Sequence, residues 1–153
     1  MTSERLNPFA LVPDAYKAVS GVESYIRNCG LKKNLIHLVK LRASQINGCA
    51  YCLDMHSREA LKDGESAQRL YVLEAWDEVS LYTPRERAAL AWTEAVTRIA
   101  DTRAPDAVYQ EVRRHFSEAE LVNLTTTIGV INLWNRLCIS FRIQPPSEKS
   151  EAA

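Results

Sequence analysis

The sequence is poor in the features that mark most specialised classes. Net formal charge is zero, with 19 Lys and Arg set against 19 Asp and Glu. No basic excess argues for nucleic acid, and no acidic block suggests a solvated tail. Only 5 of the 153 residues are glycine, and strand-like alternation is nearly missing, so a β-rich fold is not expected. No long apolar run occurs. The longest uncharged stretch, from Leu121 to Asn135, is shorter than the ~20 residues of a membrane span and carries three Thr and three Asn. The first residues, MTSERLNPFALVP, place Glu4 and Arg5 early and break the apolar stretch with Pro8 and Pro13, unlike a secretion signal. These absences favour a cytoplasmic protein that acts on small molecules or other proteins, with no nucleic-acid or membrane partner. In that compartment thiols are kept reduced, so a close cysteine pair is catalytic or metal-binding more often than a structural bridge.

What is present is helical. The chain length fits one domain, expected over 1–146, with a frayed tail over 147–153 after Pro145-Pro146. About six to seven helices are expected, at 14–28, 32–47, 49–62, 66–75, 83–100, 105–116 and 117–142. Leu35, Leu38, Val39, Ala43 and Ile46 recur at helical spacing in the second. Thr83-Pro84-Arg85-Glu86 and Ser117-Glu118-Ala119-Glu120 read as capping boxes, the first with proline at the opening helical position. Glu86 is accounted for by that cap. The last helix carries one apolar stripe through Leu121, Leu124, Ile128 and Ile131. A second stripe runs through Val130, Leu133, Trp134, Leu137 and Phe141. A helix apolar around most of its girth is covered on most sides, which favours burial by a neighbouring subunit over a monomeric bundle.

The stretch that carries chemistry runs Asn47-Gly48-Cys49-Ala50-Tyr51-Cys52-Leu53-Asp54-Met55-His56. Residues three and four apart share a helix face, so Cys49, Cys52 and His56 point the same way. The Asn47-Gly48 break puts both sulfurs in a first helical turn, where free backbone N–H groups favour a thiolate. His56, one turn on, can take the thiol proton or pair with the thiolate. The second cysteine can resolve a sulfenic acid into a disulfide. Two other readings of the same residues stay open. Cys49, Cys52, His56 and His37 could be four metal ligands, or the cysteines could be small core residues. Cys29 and Cys138 have no motif partner, and Cys138, in the apolar helix, is expected to be a buried and inert thiol. His115 is expected as a favourable charge at a helix C-terminus. Asn135-Arg136 suits a binding or interface role, with Arg136 equally suited to a surface carboxylate.

The segment LVKLRASQINGCAYCLDMHSREA resembles the core motif of the alkylhydroperoxidase D-like, or carboxymuconolactone decarboxylase, family. RERAALAWTEAVTRIAD and INLWNRLCISFR are similar to later parts of that family, so the resemblance spans roughly 35–141. It implies an all-helical fold assembled into trimers or hexamers. It also implies a CxxC thiol peroxidase or disulfide reductase that needs no cofactor and is restored by a thiol reductant or dithiol partner protein. By resemblance, Cys52 is the thiol that attacks the hydroperoxide, Cys49 the resolving thiol and His56 the proton relay. Family members that are lactone decarboxylases generally lack the cysteine pair. Two positions depart from the pattern. The relay glutamate twelve residues before the first cysteine is His37 here, and the histidine between the cysteines is Tyr51. His37, Leu41 and Ser44 share one side of their helix, so His37 either faces the site or is a packing residue. The rival functions are a lyase acting on a small acidic lactone, with His37 or Arg136 as its cation, and a metal or ligand carrier.

Overall fold

A computed structural model describes residues 3–147. The end of the expected tail, 148–153, lies outside the described residues. Nine α-helices and one 3-10 turn, with no strand, make up the regular structure of the described residues. They are α1 (Pro8–Leu11), α2 (Pro13–Arg27), α3 (Lys33–Asn47), α4 (Ala50–Lys62), α5 (Ala67–Tyr71), the 3-10 turn Leu73–Ala75, α6 (Pro84–Thr97), α7 (Ile99–Thr102), α8 (Asp106–Arg113) and α9 (Glu118–Phe141).

Helix α3 is the axis. It packs on α4, α6 and α9, and the ten residues from Leu35 to Ser44 are all buried. Two of these are charged, and each has its counterion. Lys40 donates to Glu23 of α2 at 2.5 Å, and Arg42 donates to Glu94 of α6 at 2.8 Å. Buried cations survive because they are paired. On one side of α3, Leu35 and Val39 join Ile26, Trp92, Leu124 and Ile128 in the largest apolar cluster. On another side, Leu38 and Leu41 meet Ala60, Leu73, Tyr82 and Leu90.

Both expected capping boxes are formed, Thr83 with Glu86 and Ser117 with Glu120. Glu86 does more than cap: it also accepts from Arg69 at 2.6 Å. Several boundaries differ from expectation. Helix α1 was not foreseen; the Asn7 side chain caps it by accepting from the N–H groups of Phe9 and Ala10, both at 3.1 Å. The expected 66–75 helix divides because the Tyr82 hydroxyl donates to the Arg69 carbonyl, the acceptor that a continuing α-helix would use at Leu73. The expected 83–100 helix stops at Thr97, and α7 follows before Arg103 and Ala104 turn with positive φ.

The first stripe of α9 is buried as expected, with Leu121, Leu124, Ile128 and Ile131 at most 6% exposed. The second is only partly covered: Leu133 is 39% exposed, and Trp134, Leu137 and Phe141 are half-buried. No described helix is long and apolar enough to cross a membrane.

Candidate active site

The site is built where α3 ends. Gly48 adopts φ +70°, a left-handed conformation that suits glycine, and its N–H closes α3 on Ser44 and Gln45 carbonyls. This single residue reverses the chain, so Cys49 becomes the N-cap of α4 and its sulfur accepts from the Cys52 N–H at 3.4 Å. The turn is tied to α9 by amides. Asn47 donates to Asn135 at 2.8 Å and to Asn132 at 3.0 Å, and Asn135 donates to Ser44 at 3.0 Å. Asn135 and Ser44 are wholly buried. Asn135 therefore positions the cysteine turn. Arg136 bonds Asn132 within its own helix, to the carbonyl and side-chain oxygens, and not a surface carboxylate, one of the two roles open to it.

Cys49 and Cys52 are both reduced and buried, and their sulfurs touch at 2.7 Å. A third sulfur completes the group. Cys138 of α9 lies with its Sγ within 4.8 Å of both others. Cys138 is buried as expected, but it is in sulfur contact with the CxxC pair, because α9 runs directly beneath the start of α4.

The three thiols share one negative charge, and Cys49 holds it. Hydrogen bonds from Cys138 and Cys52, with the Cys52 N–H, lower the Cys49 thiol from 9.0 to about 3 against the opposing effect of burial. Cys138 also favours ionisation of Cys52, but the hydrogen bond to Cys49, burial and the charge on Cys49 outweigh it and push Cys52 up to about 12. Cys138 is pushed up further by the same two neighbours and by burial. The sulfur with the most donors ionises, and the other two stay protonated as donors to it.

Cys52 and Cys138, with His56 one turn along α4, line a cleft of about 810 Å³. One wall is aromatic: Phe9, Tyr16 and Trp134 meet with ring centroids 5.3 to 6.1 Å apart. Arg27, Lys33, Lys40 and Lys62 also line it. Of the two cations expected for a lyase, Arg136 is not among the lining residues, whereas His37 is. His37 faces the same cleft from α3, which resolves its placement. One nitrogen each of His37 and His56 and a carboxylate oxygen of Glu59 lie within 4.8 Å of one another.

Each imidazole is oriented by a carboxylate. His56 Nδ1 bonds Glu59 at 2.9 Å, and His37 Nε2 bonds Asp63 at 2.8 Å. The hydrogen bonds to His56 and His37 hold the Glu59 and Asp63 carboxyls below their ordinary values, against some desolvation. The second nitrogen of each ring, His56 Nε2 and His37 Nδ1, is buried without a protein partner. Glu59 and Asp63 were missed in the sequence. The signal was there, since Glu59 is i+3 from His56 and Asp63 is one turn further on the same face. Cys138 had no local signal.

The alternative four-ligand set of Cys49, Cys52, His56 and His37 does not converge. The structure divides it into a three-thiol group, suited to a soft metal, and a His–His–Glu group, suited to a borderline divalent ion. Cys29 is half-buried and stands apart from both groups, and His115 meets Glu111 at 3.2 Å.

An all-helical chain that presents a CxxC pair at a helix N-terminus, beside a carboxylate-held histidine, is of the alkylhydroperoxidase D-like type. Residues 13–95 match the carboxymuconolactone decarboxylase family. The uncharacterized protein YdfG of Bacillus subtilis is 41% identical over 138 residues, covering 90% of this chain and 94% of that one. A crystal structure from Agrobacterium tumefaciens, of a protein of unknown function described as a candidate antioxidant defence protein AhpD, is 48% identical. It superposes with a TM-score of 0.93 over 95% of this chain and 100% of its own. The debrominase Bmp8 shares the fold, with a TM-score of 0.81 at 21% identity over 91% of this chain and 75% of its own. The chain belongs to the carboxymuconolactone decarboxylase family, and its fold is the AhpD-like one.

Proposed function

We propose that this protein is a thiol peroxidase that reduces organic hydroperoxides through Cys52 and Cys49. The observation that carries the reading is the placement of Cys52. It opens on the cleft beside His56 and touches Cys49, which holds a thiolate at 2.7 Å. Transfer of the Cys52 proton across that contact, uphill because the same hydrogen bonds favour charge on Cys49, moves the charge to the cleft-facing sulfur. The Cys52 thiolate then attacks the distal oxygen of the hydroperoxide. The S–O bond forms as the O–O bond breaks, and the leaving alkoxide takes a proton from His56 and departs as an alcohol. Glu59 stabilises the imidazolium at Nδ1. Cys52 is now a sulfenic acid. Cys49 attacks its sulfur, the S–S bond forms, and the hydroxyl leaves as water with the proton that Cys49 received. An external thiol or dithiol reduces the disulfide.

The cleft volume fits a small organic ligand, and its aromatic wall favours an apolar body over hydrogen peroxide itself. His37, held by Asp63, stands where the resemblance would place the relay glutamate, and it serves as the group that returns a proton to His56. The protein works in a reducing compartment, the cytoplasm. A rival lactone lyase would leave the thiolate poised on Cys49 without a task.

The test is hydroperoxide consumption with a dithiol reductant. Cys52→Ser should abolish it, because a hydroxyl near neutral pH is a far poorer nucleophile than a thiolate. His56→Gln should slow it by about 10²-fold or more. A Cys52→Ser protein that still turns over, or first oxidation found on Cys49 by peptide mass spectrometry, would reverse the roles of the two cysteines.

A further inference from the structure

The peroxidase reading uses two thiols, yet the structure gathers three. We propose that Cys138 is a third redox-active thiol, which resolves oxidised Cys52 when Cys49 does not and so forms a disulfide between α4 and α9. The proposal rests on the peroxidase reading above.

The geometry is that of one buried sulfur cluster. The Sγ atoms of Cys49, Cys52 and Cys138 lie within 4.8 Å of one another, and the residues are 0%, 1% and 4% exposed. Cys138 approaches from a different helix and, like Cys52, lines the cleft, whereas Cys49 does not. A sulfenic acid formed on Cys52 therefore has a thiol on either side. Closing the Cys52–Cys138 gap to bonding distance takes a shift of about 3 Å at most.

The electrostatics rank the two thiols. Cys49 carries the thiolate in the intact cluster, while Cys138 stays protonated chiefly through its hydrogen bond to Cys49. Cys49, already 2.7 Å from Cys52 and the readier of the two to give up a proton, therefore attacks first. Where Cys49 is blocked, for instance in a mixed disulfide with the reductant, its claim on the charge is gone and Cys138 becomes the available nucleophile. The step balances as Cys52–SOH plus Cys138–SH giving a Cys52–Cys138 disulfide and water. The S–S bond forms, the S–O bond breaks, and the Cys138 proton leaves with the hydroxyl. Cys52 is thereby kept from sulfinic acid. The Cys49–Cys52 bond closes within one helical start, whereas this one joins two helices.

The experiment removes Cys49. Cys49→Ser protein receives one equivalent of cumene hydroperoxide, with and without a sulfenic-acid trap. Non-reducing peptide mass spectrometry then locates the oxidised sulfurs. An intrachain Cys52–Cys138 disulfide is expected. A thiol held this close competes at an effective concentration far above that of a millimolar trap, so the trapped fraction should be at least about tenfold lower than in Cys49→Ser/Cys138→Ser. Cys49→Ser/Cys138→Ala serves as a second comparison, in case the serine disturbs packing. A trapped sulfenic acid on Cys52 with a free Cys138 thiol overturns the proposal and leaves the peroxidase reading standing, as does a disulfide between chains. Absence of oxidation at Cys52 in both wild type and Cys49→Ser overturns the peroxidase reading and the proposal with it.

Discussion

Reduced protein at pH 7 should carry one thiolate per chain, and it should sit on Cys49. A free thiol with the ordinary value of 9.0 would be about 1% ionised at that pH, whereas Cys49, lowered to about 3, is fully ionised. Cys52 at about 12, and Cys138 above it, add nothing at neutrality. The assay is absorbance of the thiolate at about 240 nm, taken as reduced minus oxidised protein across pH. The signal should be flat from pH 8 down to 5 and fall only in strong acid. Cys49→Ser removes the charge and the hydrogen bond that hold Cys52 up, so its curve should step back towards the usual thiol range. Stability follows with a defined sign. A folded value below the unfolded one stabilises the reduced protein fully above about pH 9, and that contribution is lost as pH falls towards about 3. Across the window one proton separates the states, so reduced and oxidised stabilities should diverge by about 1.4 kcal/mol per pH unit as pH rises. Above about pH 9 the raised values of Cys52 and Cys138 act the other way. A wild-type titration centred near pH 9 would refute the donor-held thiolate.

Two further outcomes follow from the packing. Asn135→Ala leaves buried Ser44 without its amide partner and Asn47 with Asn132 alone, at about 1–3 kcal/mol. Thermal melts should show a loss of roughly 5–12 °C, and an unchanged Tm would mean that the amide network does not hold the cysteine turn. The partly covered stripe of α9, with Leu133 39% exposed and Trp134, Leu137 and Phe141 half-buried, is proposed as a contact between copies of the chain. Sedimentation at micromolar concentration should show three or six chains, and a monomer would sink that reading.

The fold was legible because its signals are local. Two capping boxes, the glycine that ends α3 and the apolar spacing within α3 and α9 each declare themselves within a few residues, and each stands where expected. Boundaries failed where a distant group intervened. Nothing near residue 69 announces that the Tyr82 hydroxyl will take its carbonyl and end α5. The site divides the same way. Cys49, Cys52 and His56 were readable from the i, i+3 and i+4 spacing of one helix, and the helix start adds one backbone donor to the sulfur that the neighbouring thiols hold ionised. Cys138 was not, because its partnership exists only through the packing of α9 on α4. A lone cysteine in an apolar helix looks the same whether it abuts leucine or sulfur.

His37 carries a different meaning in the sequence and in the structure. From the sequence, a histidine in place of a relay glutamate looks like the loss of a carboxylate. In the structure the carboxylates have moved rather than vanished. Glu59 and Asp63 stand on successive turns at the end of α4, and each holds one imidazole, His56 and His37, by a ring nitrogen. The negative charge that supports a protonated His56 thus comes from its own helix, three residues on, and no longer needs to come from α3. The arrangement places two imidazoles in the cleft that Cys52 and Cys138 line, each held by an acid kept ionised by its histidine. In the relay proposed above, His37 returns the proton that His56 gives to the leaving alkoxide, so the transfer divides into two steps.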